Sequence, residues 1–141
     1  MPILISIRTI HVQNIFNGFK RVEFRKFFPK DYRGTMIIYE CGPNSEHKVV
    51  GKFHTRNVQL YDPKVGVTPE LIEGLRETDY TDFDLDCMRR ITEPTFCIPI
   101  ISPMRITLMD LGEFSALYKT NPVLTPPRSW TKFRCEARSK R

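Results

Sequence analysis

Apolar and polar positions alternate with two different periods along this chain, and the changes of period mark its elements. Ile3, Ile5 and Ile7 alternate with Leu4, Ser6 and Arg8, which predicts a strand whose start is buried on both faces. Val12, Ile15, Phe16 and Phe19 then recur at helical spacing. They predict a short amphipathic helix over 10–17, with Thr9 as its N-cap and Gly18 just past its end. From Arg21 to Phe27 the period returns to two: Val22 and Phe24 face one way, and Arg21, Glu23, Arg25 and Phe27 the other. Thr35–Glu40 reads as a central strand, Gly42–Ser45 as a turn, and Lys48–Leu60 as one long strand with Gly51 at a bulge. Thr68-Pro69-Glu70 is a helix start, and Asp82–Ile91 predicts a second short helix. Strand character resumes over Phe96–Thr107, broken by prolines. A helical turn is expected within Leu108–Phe114, and a last strand over Ser129–Arg134. Strands flank the helices, and no Gly-rich phosphate loop follows the first strand. The fold class this predicts is α+β: a curled β-barrel of five to seven strands with short helices.

A chain of 141 residues fits one domain and can bury a core without staples. Residues 1–135 are expected to form it, with 61–95 as a helical insertion and 136–141 as a disordered basic tail. Cys41, Cys87, Cys97 and Cys135 form no CxxC pair, and His11, His47 and His54 are not grouped at ligand spacing. No metal and no cofactor are expected. No stretch reaches the roughly 20 apolar residues of a spanning helix, and no targeting segment is evident. The expected location is the cytoplasm, with no membrane partner.

The charge is unevenly spread. Residues 1–56 carry a net +6, residues 57–127 a net −5 and residues 128–141 a net +5. Basic ends around an acidic middle point to a polyanionic partner, with Arg128, Lys132, Arg134 and Arg138 as contacts to a nucleic-acid backbone.

The segment GFKRVEFR, Gly18–Arg25, has the pattern Gly-x-Lys-x-x-Glu-x-Arg after a strand and a short helix. PPRSW, Pro126–Trp130, precedes the final strand, and VVGKF occupies 49–53. Together these resemble the ASCH branch of the PUA-like superfamily over residues 3–135, with Arg128 where many members have Gln. The resemblance implies a PUA-like pseudo-barrel with a cleft beside the first helix. It also implies RNA, a single-stranded nucleic acid or a modified nucleoside as partner. Some ASCH members hydrolyse acetylated cytidine, and others are ribonucleases. The hydrolase type uses a Lys, a Thr three residues later and a distant Glu. Lys20 matches the Lys, Glu23 stands where the Thr would be, and Glu93 is a candidate for the distant Glu.

The ligand site expected from these residues is Lys20, Glu23 and Arg25, joined by Trp130 and Arg128, with Tyr32 and Tyr39 on the cleft wall. Glu23 and Arg25 share a strand face about 7 Å apart. Arg25 can grip a phosphate or a base edge. Glu23 can accept from an amino group or orient its neighbours. Lys20 is delivered to the cleft rim by the end of the helix, so that Lys20→Ala leaves stability nearly unchanged. Trp130 can stack a base or plug the barrel end. The alternative function is hydrolysis, with Lys20 and Glu23 as the catalytic pair. The competing structural reading is a surface ion-pair row contributing about 0–1 kcal/mol.

Overall fold

The apolar run at the start of the chain becomes β1, Ile3–Arg8, in which Ile3, Leu4 and Ile5 are wholly buried. In the computed structural model, which describes residues 1–118, 127 and 129–133, β1 leads into α1, Thr9–Phe16. Thr9 is the first helical residue rather than a cap, and its hydroxyl donates to Glu40 at 2.7 Å. Gly18 follows at φ +84°, where a side chain would be strained. The remaining strands are β2 Val22–Arg25, β3 Gly34–Cys41, β4 Val49–Thr55, β5 Gln59–Tyr61, β6 Thr95–Pro99, β7 Ile101–Met109 and β8 Trp130–Lys132. Helices α2 Pro69–Leu75 and α3 Asp82–Arg89 lie between β5 and β6, and α4 Leu111–Tyr118 follows β7. Among the described residues the fold is thus α+β, with eight strands in two sheets and four short helices. None of these helices is long and apolar enough to cross a membrane.

The chain divides into two compact units. One gathers Met1–Gln13, Gly34–Phe53 and the described part of Met104–Arg141. Its five-stranded sheet has the order β7-β4-β3-β1-β8. β1 runs parallel to β3, from Ile3↔Met36 to Arg8↔Cys41, and antiparallel to β8 through Ile3↔Lys132 and Ile5↔Trp130. β3 is central, as its apolar run predicts. Leu4, Ile37, Tyr39, Val49, Met109, Leu111, Phe114 and Phe133 form one buried cluster. Phe114 meets Phe133 edge to face at 5.2 Å, a favourable aromatic geometry.

The second unit is Asn14–Arg33 with His54–Pro103. Its three-stranded antiparallel sheet has the order β2-β6-β5. Val22, Leu71, Leu75, Met88 and Cys97 are its core, with Phe24, Tyr61, Tyr80 and Ile91 packed against them. Burial pushes the Cys97 thiol up to about 12, as expected of a core cysteine. Both helices are capped, α2 at the Thr68 start that the sequence predicts and α3 by a residue it did not single out. The Thr68 hydroxyl accepts from Leu71 N–H at 3.2 Å, and Thr81 forms a capping box with Asp84.

The long strand expected over Lys48–Leu60 is two strands in two different sheets. Asn57 adopts φ +59° between them. Asn tolerates the left-handed region better than most residues, so the chain can turn there although the apolar pattern runs on. β7 continues to Met109 and α4 starts at Leu111, so the helix expected within Leu108–Phe114 begins late. Pro103 lies inside β7, which ends its sheet and tolerates a missing N–H.

Candidate functional site

Lys20 and Arg21 lie between α1 and β2, outside any helix or strand. Backbone groups there need partners other than a ladder. Lys20 N–H donates to the Asn14 carbonyl at 3.0 Å, and the Arg21 carbonyl accepts from Ile100 N–H at 2.9 Å. The chain then enters β2, which pairs antiparallel with β6 through Val22↔Pro99, Glu23↔Ile98, Phe24↔Cys97 and Arg25↔Phe96. Directly opposed residues share a sheet face. Val22, Phe24 and Cys97 therefore take the face that belongs to the core cluster. Glu23 and Arg25 take the other face, with Ile98 and Phe96, and Leu60 of β5 continues the row from Phe96.

The three expected residues meet. The Lys20 ammonium is 3.2 Å from Glu23 Oε1. Arg25 donates to Glu23 Oε2 through Nε at 2.9 Å and through its terminal nitrogen Nη2 at 2.6 Å. Glu23 is thus a bridge between two cations. The rings of Phe24 and Phe83 lie 5.4 and 6.0 Å from Lys20 Nζ, within cation–π range. The group is not a surface row. Lys20 is only 3% exposed and Glu23 only 5%, while the Arg25 side chain keeps 17%. Lys20 is therefore buried at its end of the triad rather than standing on a rim. Its replacement by alanine would disturb a buried ion pair, so a loss of stability is expected in place of none.

Burial alone would raise the Glu23 carboxyl. The Lys20 ammonium and the Arg25 guanidinium outweigh that and hold it below its ordinary value of 4.5. A carboxyl lowered by folding contributes stability that is fully present above the unfolded value. That contribution is lost as pH falls through the folded one. Urea midpoints measured from pH 7 to pH 3 should therefore fall in the acid range. Glu23→Gln should be less stable at pH 7 and lose stability less steeply on acidification. Acid limbs of equal slope in both proteins would show that Glu23 is not the group responsible.

The other expected residues are placed as follows. Trp130 is half-buried in β8, in the five-stranded unit, opposite Ile5. Lys132 is exposed, and Arg128, Arg134 and Arg138 lie outside the described residues, as does the predicted tail. Tyr39 is buried in the core cluster of the five-stranded unit. Tyr32 packs edge to face on Phe28 at 5.8 Å. Glu93 forms an exposed ion pair with Lys26 at 2.7 Å. Among the described residues no group of three or more His, Cys, Asp or Glu side chains could hold a metal ion.

Sequence reasoning missed one participant. Asp84 of α3 is 1% exposed. Its carboxylate accepts from Arg21 N–H at 3.0 and 3.1 Å, from Val22 N–H at 3.2 Å and from Thr81 N–H at 2.9 Å. The Thr-x-x-Asp spacing from Thr81 to Asp84 is legible as a helix start, but its reach to the Lys20 segment is not.

No family model and no curated protein matches this chain. Crystal structures of an ASCH protein from Zymomonas mobilis do match. The unmodified protein aligns at a TM-score of 0.65 and 21% identity, over 99% of this chain and 92% of that one. Two single-residue mutants of it align at 0.65 and 0.64 with 20% identity, over 99% of this chain and 94% and 92% of theirs. At that identity the likeness is one of backbone architecture, and the chain has the α+β fold of these ASCH structures.

Proposed function

We propose that this protein binds single-stranded RNA, or a single modified base, in a cleft around Lys20, Glu23 and Arg25. The observation that carries the reading is the buried Lys20–Glu23–Arg25 triad. Buried ion pairs rarely stabilise a fold more than apolar side chains of the same volume, so a triad at such depth is better explained by use than by stability. Lys20 Nζ has three donors, and Glu23 is its one ion-pair partner among the described residues. A phosphate or carbonyl oxygen would complete its shell, and Arg25 offers a planar donor fork beside it. The fold shared with ASCH proteins supports the same class of ligand. Trp130, which belongs to the other unit, and Arg128 are proposed as nucleic-acid contacts in their own right, one for stacking and one for phosphate.

Binding is favoured over hydrolysis by the state of Glu23. Both of its oxygens are engaged by cations, and its carboxyl is held below the ordinary range. Such a group is a weak general base near neutral pH.

Fluorescence anisotropy with a short labelled single-stranded RNA tests the reading. Affinity should fall steeply with added salt. Arg25→Ala should weaken binding about tenfold or more, the size of a lost hydrogen bond to a charged group. Unchanged affinity and salt slope in Arg25→Ala would sink the binding site as placed here. Turnover of acetylated cytidine by the wild-type protein would overturn the binding-only reading.

A further inference from the structure

The first turn of α3 holds Lys20 from three directions. The Thr81 hydroxyl donates to the carbonyl of Phe19 at 2.5 Å, on one side of Lys20. The Asp84 carboxylate takes the N–H groups of Arg21 and Val22 on the other side. Phe83, between them in sequence, sets its ring 6.0 Å from the Lys20 ammonium. A capping-box carboxylate ordinarily serves only its own helix. Asp84 does this through Oδ2, which accepts from Thr81 N–H at 2.9 Å. Both of its oxygens also reach a segment more than sixty positions away in sequence: each accepts from Arg21 N–H, at 3.0 and 3.1 Å, and Oδ1 accepts from Val22 N–H as well. The helix cap does not need this second set of bonds. Their effect falls on the two residues that follow Lys20 and lead into Glu23.

We propose that Asp84 is the positioning residue of this site: through the backbone of Arg21 and Val22 it sets where the Lys20 ammonium stands against Glu23. That it thereby serves a ligand rests on the nucleic-acid reading above. Asn cannot replace it. Asn has one acceptor oxygen where these N–H groups use two, and in either orientation its amide nitrogen sets a donor against N–H donors. Glu at the same position is the informative substitution. It is the commonest partner in a capping box, so the helix start survives. Its longer stem moves the carboxylate away from Arg21 and Val22.

Two readouts on full-length Asp84→Glu and Asp84→Asn test this. The first is the side-chain ammonium resonance of Lys20 in a nitrogen–proton correlation spectrum, assigned by its loss in Lys20→Arg. The second is affinity for a short fluorescein-labelled single-stranded RNA of mixed sequence. Asp84→Glu should keep the wild-type circular dichroism and melting temperature within a few degrees. It should shift or broaden the Lys20 resonance and weaken RNA binding about tenfold, as loss of a supporting partner usually does. Asp84→Asn should do the same and also lose stability. If Asp84→Glu leaves the Lys20 resonance unmoved, Asp84 is a helix cap only and the proposal is overturned. If the resonance moves while wild type, Asp84→Glu and Lys20→Arg all bind the RNA equally, Asp84 does hold Lys20 and it is the RNA reading that fails.

Discussion

Glu23→Ala should lower stability by about 3–5 kcal/mol, the usual cost of removing one partner from a buried ion pair. Glu23 is the carboxylate between Lys20 and Arg25, at 3.2 Å from one and 2.6 Å from the other. Its loss leaves two cations facing each other, one of them 3% exposed. The Arg25 guanidinium cannot relieve this, since it stays protonated at any pH the fold survives. Lys20→Met should cost less. It keeps the apolar stem between Phe24 and Phe83, and Arg25 still neutralises Glu23. The pair Lys20→Met with Glu23→Leu should recover part of the loss, because the one charge it leaves, on Arg25, is the most exposed of the three. Urea unfolding at pH 7 measures all three. A loss below about 1 kcal/mol for Glu23→Ala would mean that the triad behaves as a solvated surface pair.

Val22→Asp should abolish the cooperative unfolding transition. Val22 is fully buried among Leu71, Leu75, Met88 and Cys97. Its N–H already donates to the Asp84 carboxylate at 3.2 Å. A new carboxylate there is taken out of water and set among apolar side chains near an existing carboxylate. Several kcal/mol for an unpaired buried ion is a large part of a total stability of about 5–15 kcal/mol. Val22→Ile, which keeps the charge balance, should remain folded. A soluble Val22→Asp protein with wild-type circular dichroism and melting temperature would show that the register of β2 does not depend on this contact.

The two-residue period of Val22–Arg25 is why the sequence brings Glu23 and Arg25 to one face, and the end of α1 is why Lys20 arrives beside them. Both are local, and so both were readable. The depth of the triad was not. A lysine just past a helix end is exposed unless other elements cover it, and here the covering groups, Phe83 and Asp84, come from α3. The division at Asn57 was hidden for another reason. Thr55 and Val58 are both buried, three positions apart, so the alternation slips by one residue across a short stretch. A slip of that size reads equally well as a bulge. The start of α2 was legible because Thr68, Pro69 and Glu70 each act within one turn.

The pairing of β1 with β8 ties the first strand of the sheet to almost the last residues described. A ribosome makes the chain at about 5–20 residues per second. β1 and β3 can therefore associate several seconds before Trp130–Lys132 exist. Through that interval one edge of Ile3-Leu4-Ile5 has no partner strand, and an open apolar edge recruits others readily. The sheet is therefore closed beside β1 only after its other four strands have been made.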